Sequence, residues 1–410
     1  MPSKLSAARA PLDSASELPG GPLDWLIIGG GLHGVHLAAR LLGEAQVSPQ
    51  RLRIVDPGAR LLARWRSATA TTGMTHLRSP SVHHLDLSPW SLRRFAGQSP
   101  RGGPRSFAPP YDRPALVLFN AHCDQVVADF ELSALHVRAR ASACSIGPKS
   151  AGVELSNGTK LETRNVVLAI GASEQPAWPD WAPRGRSEVQ HVFMSEFDGW
   201  PSSPETVVVV GGGISASQVA LRLIKEGHEV HLVSRHALRQ HQFDSDPGWL
   251  GPRFMTGFRR EPDLDRRRAM IAAARHRGSV PPDVRRTLRR ALARKPLHWH
   301  ESEVASLDLQ PEGLELRLGD GARLQAQRLL LATGFDSRRP GGSMVDALIE
   351  SASLPCASCG YPLVDTSLRW HPRVWVAGPL AELELGPTAR NIAGARRAGD
   401  RLVHSARTEA

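Results

Sequence analysis

The clearest pattern along the chain is a short apolar run that leads into closely spaced glycines and then into residues with helical periodicity. Residues Trp25–Ile28 are apolar, Gly29-x-Gly31-x-x-Gly34 follows, and apolar side chains then recur over residues 35–42. This order predicts a strand, a tight turn and a helix. A glycine at position 31 leaves room for a pyrophosphate, and the first N–H groups of the helix favour negative charge. We therefore predict a dinucleotide-binding turn.

An acidic residue at the end of the next apolar run supports this prediction. Residues Leu52–Val55 are mostly apolar and lead directly into Asp56. The carboxylate that binds the ribose hydroxyls in a dinucleotide-binding fold lies at such a strand end. Gly29, Gly31, Gly34 and Asp56 are therefore candidate ligands for the adenosine half of a dinucleotide.

The same pattern returns in the middle of the chain. Residues Thr206–Val210 form a second apolar run, Gly211-x-Gly213-x-x-Ala216 follows, and helical spacing continues over residues 218–226. Alanine at the third position is a variant of the same fingerprint. Repetition of the whole pattern is stronger evidence than one glycine motif, and it predicts two dinucleotide-binding units.

The second copy lacks the acid. Its next apolar run, Glu229–Val233, ends in Ser234 and Arg235. A carboxylate there would select the free ribose of NADH, whereas a hydroxyl and a guanidinium suit a 2′-phosphate. We predict NADPH for this unit, with an ordinary surface arginine at position 235 as the alternative.

Alternating polar and apolar residues follow each unit's helix. They occur over residues 135–165 and 304–331, and each stretch leads into an apolar run that a glycine ends. Such alternation is typical of antiparallel strands. Further helices are predicted over residues 113–127 and 388–404. The predicted class is α/β, with two Rossmann-like dinucleotide-binding domains, the second inserted in the first, and with β-meanders.

Composition narrows the range of partners. The 51 Lys and Arg residues exceed the 40 Asp and Glu residues, so the formal net charge is +11. The densest basic stretch, residues 259–295, is interrupted by acids and lacks aromatic residues to stack on bases. We predict a solvated or cofactor-attracting helical surface there and no nucleic acid.

Membrane and export signals are not predicted. No apolar run approaches the roughly 18 to 20 residues of a membrane span. The first 21 residues lack the apolar core of a secretory signal. With only four cysteines, a disulfide scaffold is not expected, and we predict a cytoplasmic protein.

Two groups of polar residues have more than one interpretation. Cys356 and Cys359 have the spacing of a redox pair, of half a zinc site that would need two further ligands, or of an ordinary loop. His76, His83 and His84 lie near one another in the sequence. Without a matching cysteine or glutamate pattern, we predict structural histidines and no metal.

Two dinucleotide units with an Ala-Thr-Gly-Phe strand end at residues 332–335 resemble the flavin-dependent N-hydroxylating monooxygenases, the lysine and ornithine hydroxylases of siderophore assembly. The resemblance covers most of residues 22–405. It implies FAD in the first unit and NADPH in the second. The predicted segments are a disordered tail (1–21), the first part of the FAD domain (22–195), the NADPH domain (196–325) and the second part of the FAD domain (326–410).

The resemblance also implies cofactor contacts residue by residue. For FAD they are Gly29, Gly31, Gly34, Asp56, Trp65, Arg78, Gly378, Thr388 and Ala389; for NADPH they are Gly211, Gly213, Ala216, Ser234 and Arg235, with Gly334 linking the domains. Thr388 and Ala389 would act through the dipole of the last helix. Two departures are clear: the family's glutamine and lysine near residues 74–78 are replaced, and Pro379 stands where many relatives carry an aspartate. No catalytic residue is assigned.

The implied function is that of an FAD- and NADPH-dependent monooxygenase. NADPH would reduce the flavin, and a flavin hydroperoxide formed with O₂ would pass one oxygen atom to an amine-type small molecule. Two alternatives stay open: an NADPH-dependent reductase of disulfides or quinones, and a non-catalytic redox-sensing flavoprotein. The expected partners are the substrate and O₂, with a homo-oligomer left open.

Overall fold

The computed structural model describes residues 21–103, 106–195, 197, 199–294 and 297–408. Residues 1–20 of the predicted tail lie outside the described residues. The strands are β1 (Leu23–Ile28), β2 (Leu52–Asp56), β3 (Phe107–Ala108), β4 (Arg113–Pro114), β5 (His136–Arg138), β6 (Ala141–Ile146), β7 (Ala151–Leu155), β8 (Lys160–Leu168), β9 (Val189–His191), β10 (Thr206–Val210), β11 (Glu229–Ser234), β12 (Arg239–Gln240), β13 (Ser279–Val280), β14 (Leu297–Glu301), β15 (Val304–Gln310), β16 (Gly313–Leu318), β17 (Arg323–Ala326), β18 (Arg328–Leu331), β19 (Arg369–His371) and β20 (Val374–Val376). The helices are α1 (Leu32–Gly43), α2 (Ala63–Thr72), α3 (Ser91–Gln98), α4 (Leu116–Asp129), α5 (Ile214–Lys225), α6 (Pro252–Arg260), α7 (Leu264–Ala274), α8 (Pro282–Arg294), α9 (Gly342–Ala352), α10 (Glu382–Leu385) and α11 (Ile392–Thr408).

The first sheet carries the first glycine motif. Its strands lie in the order β19-β20-β8-β1-β2-β5, and the hairpin of β6 and β7 continues from β8. β1 is parallel to both β2 and β8. All of β1 except Asp24 is buried, as expected for a parallel strand that is covered on both faces.

The second sheet carries the second motif. It is parallel, in the order β14-β11-β10-β18-β9, and the antiparallel sheet β15-β16-β17 lies beside it. The first sheet is mixed and the second is wholly parallel, but in both sheets the glycine turn follows a strand with parallel neighbours, which confirms the predicted fold class. The strands of the second sheet span residues 189–331, slightly beyond the predicted boundaries after residues 195 and 325. Those boundaries stay a prediction.

Two predicted helices begin later than expected. Arg113 and Pro114 pair with β3 as a short strand, so α4 begins at Leu116. Near the C-terminus, Pro387–Arg390 form a 3₁₀ turn, and α11 begins only at Ile392. Thr388 and Ala389 therefore precede the last helix, and the prediction that they open it is wrong.

Candidate functional site

The first glycine turn leaves open space above its backbone. Gly29 has φ +114°, and a Cβ there would lie 2.6 Å from the carbonyl oxygen of Ala169. A Cβ at Gly34 would collide with the carbonyl oxygen of Gly29. At Gly31, by contrast, a Cβ would meet no atom within 4 Å. Folding of the turn requires glycine at 29 and 34, while position 31 offers room for a ligand at the start of α1.

Asp56 holds this turn from the end of β2. Its Oδ2 accepts a hydrogen bond from the N–H of Gly30 at 2.7 Å, and its Oδ1 accepts one from the N–H of Gly58 at 2.8 Å. A carboxylate has about four acceptor positions. The group is therefore oriented by the backbone and can still accept a hydrogen bond from a ribose hydroxyl.

His33 faces Gly378, which is predicted to lie near the flavin. A Cβ at Gly378 would lie 3.7 Å from Nδ1 and Cε1 of the His33 ring. Both ring nitrogens are buried without a hydrogen bond to the described residues. Burial lowers the pKa of His33 to about 4, although the nearby backbone of Arg390 and Asn391 opposes this. Apart from these two backbone groups, which lie outside ordinary hydrogen-bond geometry, the ring has no polar partner among the described residues, and a bound group could complete it, so His33 fits a cofactor. Sequence reasoning missed it because its position in the glycine fingerprint is unspecified.

Gly378 opens another 3₁₀ turn, Gly378–Ala381, which leads into a buried ion-pair cluster. We call it the Glu382 cluster and define it as Arg268, Tyr361, Glu382 and Arg390. Glu382 is fully buried, pairs with Arg268, and accepts a hydrogen bond from Nε of Arg390 at 2.7 Å. The Tyr361 hydroxyl accepts a hydrogen bond from Arg390 at 2.9 Å, and the Arg268 guanidinium lies 4.1 Å from the centre of the tyrosine ring.

Thr388 and Ala389 lie along the chain between two members of this cluster, Glu382 and Arg390. They are 4% and 0% exposed, respectively. The hydroxyl of Thr388 accepts a hydrogen bond from Arg397 at 3.3 Å. The 3₁₀ turn Pro387–Arg390 contains Thr388 and Ala389 and ends at Arg390, a member of the cluster. The cluster therefore fixes the C-terminal end of the segment that is predicted to contact the flavin.

Trp65 lies on α2 with its indole engaged by the protein. Its Nε1 donates to Oδ1 of Asn120 at 3.0 Å, and its ring packs edge-on against Phe119. These contacts fix the ring between α2 and α4. A contact of Trp65 with the cofactor stays a prediction.

Arg78 joins the first unit to a loop of the second. Its guanidinium donates to the carbonyl oxygens of His241, Gln242 and Phe243 at 2.6, 2.8 and 3.0 Å, and pairs with Asp244 at 2.7 Å. Burial lowers the pKa of Arg78, and Asp244 opposes this effect. The main contacts of Arg78 are thus within the protein, and its predicted contact with a cofactor stays a prediction.

The second glycine turn is covered, unlike the first. Gly211 has φ +152°, and a Cβ there would lie 2.5 Å from the carbonyl oxygen of Ala332 and 3.0 Å from Cβ of Ala216. Gly213 caps the start of α5. A Cβ at Gly213 would lie 3.6 Å from Cα of Gly278, so a second segment of backbone lies over this turn.

The ring of His236 lies across the same turn. A Cβ at Gly212 would be 2.8 Å from its Cε1, and a Cβ at Gly278 would be 2.5 Å from its Nε2. The imidazole therefore packs between two stretches of backbone that only glycine allows. This contact could not be predicted from the sequence, since His236 lies just past the strand end that the fingerprint specifies.

At the end of β11, Ser234 and Arg235 differ in accessibility. Ser234 is 2% exposed; its hydroxyl donates to the carbonyl oxygen of His236 and accepts from Nε1 of Trp299, each at 3.0 Å. Its single donor is therefore already used. Arg235 is exposed, and its side chain makes no hydrogen bond or ion pair within the described part of the chain. Of these two predicted NADPH contacts at the strand end, Arg235 is the one whose side chain is available in this structure.

Gly334 lies where the second sheet meets the connector that follows β8. Its φ is +83°, and its carbonyl oxygen accepts a hydrogen bond from the N–H of Ala177 at 2.9 Å. The neighbouring Thr333 hydroxyl contacts the carbonyl oxygen of Ala177 and lies 3.1 Å from Nε2 of His191. These bonds tie the Ala-Thr-Gly strand end to the connector.

The histidines and arginines that raised other possibilities have contacts within the protein. His84 is fully buried, and its Nε2 lies 3.1 Å from the carbonyl oxygen of Pro89. Within the described ranges, no three His, Cys, Asp or Glu side chains are grouped as metal ligands would be. Arg267 donates to the carbonyl oxygens of Glu261 and Leu383, so the basic stretch is not a wholly solvated surface.

None of the described helices combines the length and the apolar character needed to cross a bilayer.

Two family models match overlapping parts of the chain. Residues 26–173 match a model described as FAD-NAD(P)-binding, and residues 121–263 match one described as pyridine nucleotide-disulphide oxidoreductase. No curated protein matches the sequence.

Solved structures extend the likeness to nearly the whole chain. Reduced ornithine hydroxylase from Pseudomonas aeruginosa has a TM-score of 0.73 at 16% identity, covering 95% of this chain and 99% of its own. Ornithine N-hydroxylase from Kutzneria sp. 744, with reduced FAD, NADP⁺ and L-ornithine, has a TM-score of 0.74 at 17% identity, covering 95% and 100%. Bacillithiol disulfide reductase from Bacillus cereus has a TM-score of 0.63 at 16% identity, covering 95% and 100%.

The chain has the fold of the flavin-dependent N-hydroxylating monooxygenases. This confirms the resemblance seen in the sequence at the level of the fold. Together with the matched FAD-NAD(P)-binding model, it supports the predicted pair of cofactors, FAD and NADPH.

Proposed function

We propose that the protein is an FAD- and NADPH-dependent monooxygenase that transfers one oxygen atom from O₂ to a nucleophilic, amine-type small molecule. The observation that carries this proposal is the pair of glycine turns. Each follows an interior parallel strand and leads into a helix capped by glycine. The ornithine hydroxylases that share this fold over most of the chain support the amine-type substrate. Because all four cysteines are free thiols, we further propose a cytoplasmic location.

The residues of the first turn fit FAD, which, when bound, supplies hydride acceptance and oxygen activation. The start of α1, with open space above Gly31, would hold the pyrophosphate. Asp56 would accept a hydrogen bond from the adenosine ribose. His33 is uncharged at neutral pH because of its low pKa, so it offers one donor and one acceptor to polar groups beside Gly378.

The residues of the second turn fit NADPH once their cover shifts. The start of α5 would hold the pyrophosphate, and Arg235 would bind the 2′-phosphate through charge-assisted hydrogen bonds. Since His236 and Gly278 lie over the turn, we expect this cover to move when the dinucleotide binds.

A stopped-flow experiment tests the proposal. The protein, reconstituted with FAD, is mixed without O₂ with NADPH or with NADH, and O₂ and candidate amines are then added. We expect rapid loss of the oxidised flavin spectrum with NADPH, slower loss with NADH, and a hydroxylated amine in the products. Reduction by neither nucleotide would refute the proposal and favour a non-catalytic flavoprotein.

A disulfide reductase is the second candidate. It is favoured by the family model that matches residues 121–263 and by the similarity to bacillithiol disulfide reductase. In the same experiment, a reductase would consume NADPH with a disulfide substrate and would yield no hydroxylated amine.

A further inference from the structure

The Cys-x-x-Cys pair, which neither glycine turn uses, differs sharply from the other two cysteines in accessibility. Cys359 is exposed and Cys356 is partly exposed, whereas Cys123 and Cys144 are 0% and 6% exposed. Burial raises the pKa of Cys123 and raises the pKa of Cys144 to about 12. Because an oxidant must reach the sulfur atom, and reactive cysteines are partly exposed, we expect thiol chemistry at residues 356 and 359 and little at the other two.

The pair lies on one tight turn. The N–H of Ala357 donates to the carbonyl oxygen of Tyr361 at 2.9 Å, and the N–H of Gly360 donates to the carbonyl oxygen of Ala357 at 2.8 Å. Cys356 also pairs with Pro362 across the turn. A disulfide needs its sulfur atoms about 2.05 Å apart, so closing the bond would require an adjustment of this short turn.

A cation lies beside the turn, although it does not outweigh the effect of burial on the pKa of Cys356. Burial and the neighbouring Cys359 raise the pKa of Cys356, while the guanidinium of Arg339 opposes them. Nε of Arg339 would lie 3.9 Å from a Cβ at Gly360, which places this cation beside the turn. Partly exposed cysteines near a cation are the ones that oxidants modify.

The two sides of the turn are held unequally. On one side, the Ser358 hydroxyl binds Asp265 of α7, and Ala357 is 7% exposed. On the other side, Gly360 has φ +76° and would have only Arg339 within 4 Å of a Cβ. Any adjustment should therefore begin at Gly360, which is loosely packed, and be passed to Tyr361, which follows it.

Tyr361 transmits such an adjustment to the Glu382 cluster. It is 1% exposed, its hydroxyl donates to the carbonyl oxygen of Ser337 at 3.0 Å, and it accepts from Arg390 at 2.9 Å. Arg390 ends the 3₁₀ turn that contains Thr388 and Ala389. A continuous set of contacts thus leads from the cysteine turn to the segment that we expect beside the flavin.

We propose that Cys356 and Cys359 are a redox-modification site at which hydrogen peroxide forms a disulfide, and that this disulfide loosens the contact between Tyr361 and Arg390 and weakens FAD binding. The thiolate of Cys359 attacks one peroxide oxygen and breaks the O–O bond, giving a sulfenic acid and hydroxide, and the hydroxide takes up the proton that the thiol released and becomes water. The thiol of Cys356 then forms the S–S bond and releases a second water. Two electrons leave the two thiols, and the peroxide is reduced to two waters. The effect on FAD rests on the proposed function, whereas the thiol chemistry does not.

The test uses the full chain, first reduced and then treated with hydrogen peroxide. We measure three quantities before treatment, after treatment and again after reduction with dithiothreitol. They are the intact mass of the protein, the extent of its alkylation by iodoacetamide and its Kd for FAD. We expect the loss of two hydrogen atoms, a Cys356–Cys359 cross-link, unmodified Cys123 and Cys144, and a reversible rise in Kd of at least about threefold.

Matched variants separate the steps. Cys356→Ser and Cys359→Ser should each bind FAD like the reduced protein and lose the response to peroxide. Tyr361→Phe keeps the ring but removes the hydroxyl, so it should form the disulfide with little further change in FAD affinity.

Several results would overturn the proposal. One is the formation of sulfinic acid in place of a disulfide. Another is a disulfide that leaves the affinity for FAD unchanged. A third is reduction of the disulfide by NADPH alone in the FAD-loaded protein, which would make the pair a catalytic relay. If neither form bound FAD, the proposed function and the coupling would both fall, while the mass spectra would still decide the thiol chemistry.

Discussion

At the first glycine turn, the carboxylate of Asp56 binds two backbone N–H groups, and Gly31 faces open space. At the second, the strand ends without an acid, and His236 and Gly278 lie across the turn. The same strand–turn–helix order thus produces one open site and one covered site. A site that is already formed loses little free energy to reorganisation on binding. We therefore expect FAD to be a resident cofactor and NADPH to be an exchanged ligand whose binding displaces a cover.

The third position of each fingerprint also differs between the two turns, in how much space it leaves for a side chain. At the first turn, a Cβ at Gly34 would run into backbone, which cannot move aside. At the second turn, Ala216 is accommodated and fully buried. The two turns therefore tolerate different side chains, although their backbones follow one pattern.

The largest effect on stability is expected for Gly34→Ala, and Gly31→Ala is the variant with which it should be compared. The first variant should lose roughly 3 kcal/mol or more of unfolding free energy and retain no FAD. The second should keep the wild-type urea midpoint, measured by tryptophan fluorescence, while its FAD affinity falls at least about tenfold. A Gly34→Ala protein with normal stability would refute the packing argument for the first turn.

The second-largest difference between the two units is expected in how much stability each loses in acid. His84 and His122 of the first unit are 0% and 1% exposed, and burial lowers their pKa values from 6.5 to about 3 and about 4. These groups are neutral when folded and take up protons when unfolded. The stability that these neutral histidines contribute is therefore complete above pH 6.5, and it is lost as the pH falls from there towards about 4 for His122 and about 3 for His84.

For His122 the loss between pH 7 and pH 5 amounts to roughly 2 kcal/mol. Hydrogen exchange at these two pH values should show a larger loss of protection in α1 and α4 than in α5. Burial also lowers the pKa of His231 in the second sheet to about 4, so a smaller loss is expected there. His122→Gln can keep the contact with Ser91 and should show a smaller loss of stability in acid. An unchanged pH dependence in this variant would contradict the assignment.

A smaller effect is expected at the second turn. Arg235→Ala should raise the Kd for NADPH about tenfold, because a charge-assisted contact is lost, and should leave the Kd for NADH unchanged. Arg239→Ala, which removes another exposed arginine of the same region, is the control. Equal weakening of both nucleotides by Arg235→Ala would argue against recognition of the 2′-phosphate by this residue.

Both turns and the fold class followed from the sequence because strand, glycines and helix are neighbours along the chain. Contacts between distant residues could not be predicted in this way. Arg78 binds loop residues 163 to 166 positions away, and Ser234 is bonded to Trp299. The last helix was placed too early because Pro387 opens a 3₁₀ turn rather than the helix itself.

The nested connection of the two sheets has a consequence for synthesis of the chain. β8 pairs with β20, yet the whole second sheet, residues 189–331, lies between them in the sequence. On the ribosome, the inner sheet is complete before β20 has been made, so we expect it to fold first, although domains usually fold from the N-terminus. Until β20 arrives, part of β8 stays an unpaired edge, which is a site for aggregation. A nascent chain stalled before residue 369 should therefore be the species that most needs a chaperone.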